Sequence, residues 1–321
     1  VNEAIKDCVT NERVITRTTV ESYARRHNVC PAEFQLDVSL FADAVVCDYN
    51  HVYDPKAKLQ RFFQFGGDYI LLNDEAHNLI DRAREMFSAG LYRADFSAYR
   101  KKTDKKHPLK KIISKLIKTI KETCSSEDKN PFTVKEKPEN LLSVIFEFAE
   151  EADIYFQYNQ DTPQDDELLT LYFNSLDFLR VSELFDDRYA TYIEPANGYI
   201  KLFCLDPSYL LAAEQKKSRA CVFFSATLTP LAYFKNILGG GTDDYTLKLA
   251  SPFPRENLCL VVDDRVSTKY KDRSRTYGTV ADRLHDFVSG KKAIIWLFSL
   301  RTLTLPRCSI FLQKSIKTSA L

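Results

Sequence analysis

The amino-acid sequence predicts an α/β fold in which a parallel sheet is interrupted by a helical insertion. Two short apolar runs, residues 69–72 and 220–224, have the length of buried strands, and each is followed at once by polar residues. The long stretch between them, about residues 80–195, carries mainly helical patterns. Strands on both sides of a helical block indicate one α/β domain that is split by an inserted helical domain.

Composition and charge are those of an ordinary globular protein. Hydrophobic residues make up 45% of the 321 residues and the formal net charge is +1, so any basic surface for nucleic acid must be local. The eight cysteines are scattered without a C-x-x-C pair, which favours a reducing compartment and the cytoplasm. We expect a monomer without a membrane partner, because no signal peptide is apparent and the apolar runs are short.

The N-terminal part of the chain is predicted to contain one helix and then two strands. Residues 1–29 have helical periodicity, and Cys30-Pro31 ends that helix. Residues 44–47 form a short apolar run that is typical of a strand buried on both faces. Gly66-Gly67 marks a turn before the strand at residues 69–72.

Three helices are predicted in the middle of the chain. Residues 100–121 form a lysine-rich amphipathic segment, and residues 139–158 and 165–185 carry apolar stripes. A polar loop is expected between the first two of these helices. Further strands are predicted at residues 199–205, 258–262 and 293–298.

The tetrapeptide Asp74-Glu75-Ala76-His77 places two adjacent carboxylates at the end of a predicted strand. Open α/β sheets bind ligands at this carboxyl edge. One carboxylate there can hold Mg²⁺ beside nucleotide phosphates, and its neighbour can orient an attacking water molecule. Two alternatives stay open: a solvated acidic turn, and an unrelated metal-dependent hydrolase that needs further ligands near the same strand end.

The tripeptide Ser225-Ala226-Thr227 follows the second apolar run directly. Two hydroxyl side chains in this position can link a carboxylate or a histidine on the adjacent strand end to a distant site. Taken alone, the tripeptide is more typical of a capping Ser/Thr pair where a strand leads into a helix.

Together the two segments resemble the corresponding motifs of superfamily 2 helicases. Three more stretches resemble the XPD/DinG family of iron–sulfur DNA helicases, and most closely its bacterial, DinG-like members: C-P-A-E at residues 30–33, A-D-A-V-V-C-D-Y-N at residues 42–50, and S-P-F-P at residues 251–254. The resemblance covers about residues 25–292. It implies a RecA-like P-loop helicase domain and an ATP-dependent DNA helicase that unwinds duplexes 5′ to 3′ in DNA repair or replication.

The resemblance implies a role for each residue of the two motifs. Asp74 would coordinate Mg²⁺, and Glu75 would polarise the hydrolytic water. His77 would couple the nucleotide site to Ser225 and Thr227. ATP and Mg²⁺ are therefore the implied cofactors.

A DNA path and an iron–sulfur cluster are implied in the same way. Tyr49 and Asn50 are expected to contact single-stranded DNA. The basic segment at residues 100–121 offers phosphate contacts, although a solvated lysine face fits its pattern equally well. Cys30 matches the last cysteine ligand of the family's [4Fe–4S] cluster, and the alternative for this residue alone is an inert buried thiol.

The resemblance also implies a division into domains. Residues 1–40 would be a remnant of the iron–sulfur domain, and residues 88–194 a helical, arch-like insertion. The first RecA-like motor domain would combine residues 41–87 with residues 195–252. Residues 253–321 would begin a second, truncated motor domain, with a change of reading frame after about residue 292 as a further hypothesis.

The sequence departs from the family's pattern at several points. It contains no G-x-x-x-x-G-K-[ST] phosphate loop, and Asn73 and Ala32 stand where the family usually has an apolar residue and a phenylalanine. We expect the other three cluster cysteines and the arginine of the second motor domain to lie outside this chain. Two functions therefore stay open: a fragment of an ATP-dependent helicase, and a non-catalytic remnant that binds nucleic acid or a protein partner.

Overall fold

A computed structural model describes residues 1–104, 106–126, 129–159, 165–254, 256, 264–267 and 269–289. The chain divides into two compact units, Val1–Thr246 and Leu247–Leu321. The strands predicted at residues 258–262 and 293–298, and the hypothetical change of reading frame, lie outside the described residues. No helix in the described part of the chain is both long and apolar enough to cross a membrane.

The N-terminal residues form three short helices, α1 (Asn2–Asn11), α2 (Arg17–Arg26) and α3 (Pro31–Ser39). The prediction of one helix over residues 1–29 is therefore wrong in its length. The chain breaks before α2 because the Thr16 side chain caps that helix by accepting a hydrogen bond from the Thr19 amide. Cys30-Pro31 does not end α2, which ends at Arg26, where Asn28 takes a left-handed backbone conformation with φ of +53°. Cys30-Pro31 instead begins α3, with proline at the favoured first helical position.

The three helices enclose a small core of their own. Its members are apolar side chains and a tyrosine that are nearly inaccessible to solvent: Ala4, Cys8, Val20, Tyr23, Ala24, Phe34 and Val38. Two short helices follow, α4 (Asn50–Tyr53) and α5 (Gln60–Phe63).

The predicted strand at residues 44–47 is wrong. These residues form neither helix nor strand, and Val46 is fully exposed. An apolar run becomes a strand only where a neighbouring strand can accept its backbone hydrogen bonds, and no described strand pairs with this one.

Six strands are described, in two separate sheets: β1 (Ile70–Asn73), β2 (Ala89–Tyr92), β3 (Phe132–Val134), β4 (Tyr189–Glu194), β5 (Tyr199–Cys204) and β6 (Ala220–Phe223). Strands β1 and β6 pair in parallel, which confirms both predicted strands and the predicted α/β class. They are less buried than expected, since Ile70 and Leu72 are 58% and 68% exposed. Gly66, in the predicted turn before β1, has a φ of +79°.

The second sheet is antiparallel, with the order β2-β5-β4-β3. Strand β5 confirms the prediction at residues 199–205, whereas β2, β3 and β4 lie in a region for which mainly helices were predicted. Gly90 in β2 allows a close approach, because a Cβ atom there would overlap the outer end of the Tyr199 side chain. The segments 88–194 and 195–252 thus both contribute strands to this sheet.

The remaining helices are α6 (Leu79–Met86), α7 (Arg93–Lys102), α8 (Lys110–Thr123), α9 (Glu139–Tyr158), α10 (Asp166–Leu184), α11 (Ser208–Gln215) and α12 (Leu231–Ile237), with α13 (Arg273–Ser289) in the second unit. The structure confirms the helices predicted at residues 139–158 and 165–185. The basic segment at residues 100–121 is divided between α7 and α8. Its predicted apolar face is confirmed, and four of its side chains are buried: Ile112, Ile113, Leu116 and Ile120.

One large core joins the antiparallel sheet, helices α6 to α10 and one face of the parallel strand pair, which contributes Leu71 and Phe223. Phe148 in α9 is completely buried, and its ring meets that of Phe96 edge to face with the ring centroids 5.7 Å apart. This core fixes the positions of β1 and β6, which carry the two sequence motifs at their ends.

Candidate active site

The two motifs leave the parallel strand pair at the same edge. The register aligns Asn73 with Phe223, so the chain continues from both strands side by side. The pairing extends past the strands: the Phe224 amide donates to the Asn73 carbonyl at 3.0 Å, and the Ala76 amide donates to the Phe224 carbonyl at 3.2 Å. The carboxyl ends of adjacent parallel strands are the usual ligand-binding edge of an α/β sheet.

The acidic motif forms a tight turn at this edge. The Glu75 amide donates to the Asp74 carboxylate at 2.7 Å. Glu75 itself adopts a left-handed backbone conformation, with φ of +48°. A short 3₁₀ turn over Ala76–Asn78 follows and leads into α6. The Glu75 side chain is 60% exposed, so its carboxylate is open to solvent and to a ligand.

The Ser225 hydroxyl is the point at which the two motifs meet. It lies 2.8 Å from His77 Nδ1 and 3.4 Å from a Glu75 carboxylate oxygen. It also lies 3.3 Å from the Thr227 hydroxyl and accepts a hydrogen bond from the Thr227 amide at 3.2 Å. His77 Nδ1 is in turn 3.3 Å from Glu75.

One assignment of hydrogens satisfies the short contacts of this group. Ser225 Oγ has two lone pairs and one proton. It accepts from the Thr227 amide and from His77 Nδ1–H, and donates its own proton to Glu75. The hydrogen positions are assigned from the heavy-atom geometry. In this arrangement a change in the charge of the Glu75 carboxylate acts on Thr227 through the Ser225 hydroxyl, and on His77 both through that hydroxyl and directly.

The structure therefore brings together four of the five residues that the sequence singled out in the two motifs. Glu75, His77, Ser225 and Thr227 share the hydroxyl-centred contacts described above. Asp74 lies beside them in the chain, and its carboxylate accepts from the Glu75 amide. Their roles in nucleotide chemistry stay predictions, but the predicted proximity of the motifs is a property of the structure.

Asn73, which stands where an apolar residue is usual, is part of a buried polar contact beneath the acidic turn. Its side chain is buried, accepts from the Tyr53 hydroxyl at 3.1 Å and donates to the Cys221 sulfur at 3.1 Å. Tyr53 is 1% exposed. Burial raises the pKa of the Tyr53 hydroxyl and raises the pKa of the Cys221 thiol to about 11. Both groups are therefore neutral hydrogen-bonding partners at neutral pH.

The sequence analysis missed Tyr53 and Cys221. A tyrosine and a cysteine at the ends of apolar runs are ordinary core residues, and only their three-dimensional neighbours give them a polar role. The one available signal was Asn73 itself, since a buried amide must find hydrogen-bond partners.

The residues predicted to contact DNA also lie at this edge. The Tyr49 hydroxyl donates to the backbone carbonyl of Asp74. Arg82 lies over the Tyr49 ring, with its guanidinium carbon 5.5 Å from the ring centroid, and forms an ion pair with Asp48 at 3.2 Å. The Asn50 amide donates to the Asp48 carboxylate at 3.0 Å. That hydrogen bond, helped by the charge of Arg82, lowers the pKa of the Asp48 carboxyl.

Cys30, the predicted cluster ligand, is exposed at the start of α3. It is therefore not the buried, inert thiol of the alternative interpretation. Within the described ranges, no three His, Cys, Asp or Glu side chains are grouped so that they could hold a metal ion together. A [4Fe–4S] cluster takes four thiolates, so the described residues do not form a site for one.

The basic segment is partly neutralised by acidic neighbours. Lys115 pairs with Glu147, and Lys102 pairs with Glu167 at 2.6 Å. Lys118 lies 3.7 Å from Glu122. The local positive surface of α7 and α8 is consequently weaker than the count of lysines in the sequence suggests.

Two comparisons with known proteins match part of the sequence. Residues 2–96, which include the acidic turn, match the family model DEAD_2. The Fanconi anemia group J protein homolog of Gallus gallus is 31% identical over 83 residues, which is 26% of this chain and 6% of that protein.

The fold agrees as well. The structure titled XPD_Helicase superposes with a TM-score of 0.51 at 18% sequence identity, over 86% of this chain and 49% of that one. The chain thus spans about half the length of that solved structure and a small part of the curated relative.

The fold places the chain in a class: an α/β protein with a RecA-like fold, as in the solved structure XPD_Helicase. The resemblance to XPD/DinG-like superfamily 2 helicases that the sequence motifs indicated is matched in sequence over residues 2–96 and in fold over 86% of the chain.

The contact beneath the acidic turn gives a prediction about stability. Asn73→Leu, which keeps the approximate shape, would leave the buried Tyr53 hydroxyl without its acceptor and should cost about 1–3 kcal/mol of unfolding free energy. Tyr53→Phe should cost a similar amount, because Asn73 then loses a donor. The double variant should be destabilised by clearly less than the sum of the two, as measured by urea denaturation. Strictly additive losses would show that the two groups do not depend on each other.

Proposed function

We propose that this chain is part of an ATP-dependent DNA helicase, and that its parallel strand pair carries the nucleotide-hydrolysis edge of the first motor domain. The observation that carries the proposal is the junction of the two motifs at Ser225, which joins Glu75 to His77 and Thr227. A linked carboxylate and histidine at a strand edge are suited to sensing the state of a bound nucleotide. Unwinding from 5′ to 3′ in DNA repair or replication rests on family resemblance alone.

The donor set of the acidic turn fits Mg²⁺. This ion prefers carboxylate oxygens and water, and is commonly held by one or two protein carboxylates together with substrate phosphates. Asp74 offers a carboxylate that is tied to the Glu75 amide through one oxygen, which leaves its other oxygen available. When bound, Mg²⁺ would neutralise charge on the nucleotide phosphates. Glu75 would orient the attacking water, and the Ser225 hydroxyl would fix the position of the Glu75 carboxylate relative to His77.

DNA would lie near Tyr49 and Asn50, at the same edge of the sheet. The Tyr49 ring is half-buried and has Arg82 over it, so the segment offers an aromatic surface beside a guanidinium group. Aromatic rings and basic side chains are the usual partners of single-stranded nucleic acid. Because α7 and α8 are partly neutralised, Tyr49 is the stronger candidate for the DNA contact. Cys30 would supply one thiolate ligand to a [4Fe–4S] cluster, which needs three more.

A non-catalytic remnant is the second candidate, and one observation favours it. The 321 residues contain no G-x-x-x-x-G-K-[ST] loop, whose amides and lysine hold nucleotide phosphates in P-loop enzymes. Such a remnant would bind nucleic acid or a protein partner without turning over ATP.

The metal site can be tested with Mn²⁺ as a paramagnetic probe. Added Mn²⁺ should broaden the NMR signals of the Ala76 and Ala226 methyl groups, which flank the acidic turn and Ser225, before those of Ala24 in the N-terminal core. Asp74→Asn should remove this selectivity. The matched control is Asp81→Asn, since Asp81 is an 88% exposed carboxylate nearby on α6. Equal broadening in both variants would show that Asp74 is not the site.

DNA binding should be weak and sensitive to salt. Fluorescence anisotropy with a labelled oligothymidylate should show affinity falling as salt rises, because phosphate contacts release counterions. Tyr49→Ala should weaken binding at every salt concentration by about 1–3 kcal/mol, the usual contribution of one stacked base. Tyr158→Ala is the control, because Tyr158 is 85% exposed on α9, away from this edge. Absence of binding at low salt, or equal effects of the two variants, would contradict the proposed DNA path.

ATP turnover by the full chain tests the non-catalytic candidate. The 321 residues should release no phosphate from ATP above background, with or without DNA, because they contain no G-x-x-x-x-G-K-[ST] loop to hold the nucleotide phosphates. Glu75→Gln serves as the reference for background. DNA-stimulated turnover that is lost in Glu75→Gln would mean that this chain holds the phosphates by other groups.

A further inference from the structure

Two tyrosines one helical turn apart hold two consecutive residues at the end of β1. Tyr49 immediately precedes α4 with helical backbone angles, and Tyr53 is the last residue of that helix, so their side chains lie on the same face. The Tyr49 hydroxyl donates to the Asp74 carbonyl, and the Tyr53 hydroxyl donates to the Asn73 side chain at 3.1 Å. The predicted DNA-contacting segment is thus tied to the start of the acidic turn.

The same segment is held from the other side of the acidic turn. Arg82 belongs to α6, which begins directly after that turn. Its guanidinium group pairs with Asp48 at 3.2 and 3.3 Å and lies over the Tyr49 ring. The first residue of the acidic turn, Asp74, and Arg82 after the turn therefore both contact one short segment, residues 48–50.

The two tyrosine contacts differ in what they fix. Tyr53 holds a buried side chain inside the core, where no ligand can reach it. Tyr49 is only half-buried and holds the backbone of Asp74, whose carboxylate is the proposed metal ligand. A ligand that packs against the Tyr49 ring limits the positions of that hydroxyl, and so limits the motion of the Asp74 backbone.

We propose that Tyr49 is a positioning residue whose hydroxyl couples the binding of single-stranded nucleic acid at residues 48–50 to the binding of a divalent cation at Asp74. This inference rests on the proposed function and adds a means of regulation to it. A ring that is already immobilised by nucleic acid reduces the conformational entropy that the cation must still remove, so each ligand tightens the binding of the other. Linkage requires the two effects to be equal in size.

The experiment measures that linkage in the full chain. Mn²⁺ is titrated by electron paramagnetic resonance without and with saturating oligothymidylate, and the oligothymidylate is titrated without and with Mn²⁺. Each ligand should tighten the other by about fivefold or more, the lower end of typical coupling between sites. Tyr49→Phe keeps the ring and the Asp74 carboxylate but removes the hydroxyl. The ratio of each ligand's affinity with and without the other ligand should then fall to one, however tightly each ligand binds alone. The melting temperature checks that the variant is folded.

Tyr53→Phe is the matched control, because it removes a hydroxyl from the same face of the same helix without touching Asp74. It should lower stability and keep the coupling. Coupling that persists in Tyr49→Phe, or that is lost in both variants, would overturn the assignment to the Tyr49 hydroxyl. Independent binding of both ligands to the parent chain overturns the coupling but leaves the proposed function standing, whereas absence of binding of either ligand overturns both.

Discussion

The parallel pairing of β1 and β6 is the constraint on which the whole site depends. The two strands are neighbours in the sheet although residues 74–219 separate them in the chain. Closing so long a loop costs chain entropy, although the cost grows only slowly with length. Here the intervening residues supply most of one large core, which includes the antiparallel sheet and helices α6 to α10 and also packs against β1 and β6. The packed intervening residues therefore bring β1 next to β6. The register between these two strands then places His77 against Ser225.

The parallel strand pair positions the side chains of this site, but the electrostatic interactions between those side chains are not strong. The side chains of Glu75 and His77 are 60% and 33% exposed, and interactions between groups so open to water are weak. What holds them together is a hydroxyl that lies within hydrogen-bonding distance of both. The contrast with the layer beneath is clear, because the amide of Asn73 and the hydroxyl of Tyr53 are shielded from water. The uncharged, buried contact between Asn73 and Tyr53 thus lies beneath the solvent-accessible side chains of Glu75 and His77.

The sequence was most informative where a short apolar run ends in polar residues or where a helical pattern is long. These signals identified β1, β6, the helix Glu139–Tyr158 and the motif residues, since each signal is local. Strands β2, β3 and β4 were missed because their pairing partners are distant in the sequence, and the run at residues 44–47 misled because an apolar run does not reveal whether a partner strand exists. Tyr53 and Cys221 were missed for the same reason: their polar role arises only from neighbours in space.

The left-handed backbone of Glu75 bears on how this sequence can evolve. For residues other than glycine that conformation costs roughly 1–2 kcal/mol, whereas glycine adopts it readily. A mutation to glycine would therefore relax the backbone and delete the carboxylate in one step. At position 75, the stability of the fold therefore favours glycine, whereas the proposed chemistry requires glutamate. In a lineage that no longer used the carboxylate, drift toward glycine would be favoured, so retention of glutamate among descendants of this sequence would record continued selection for its chemistry.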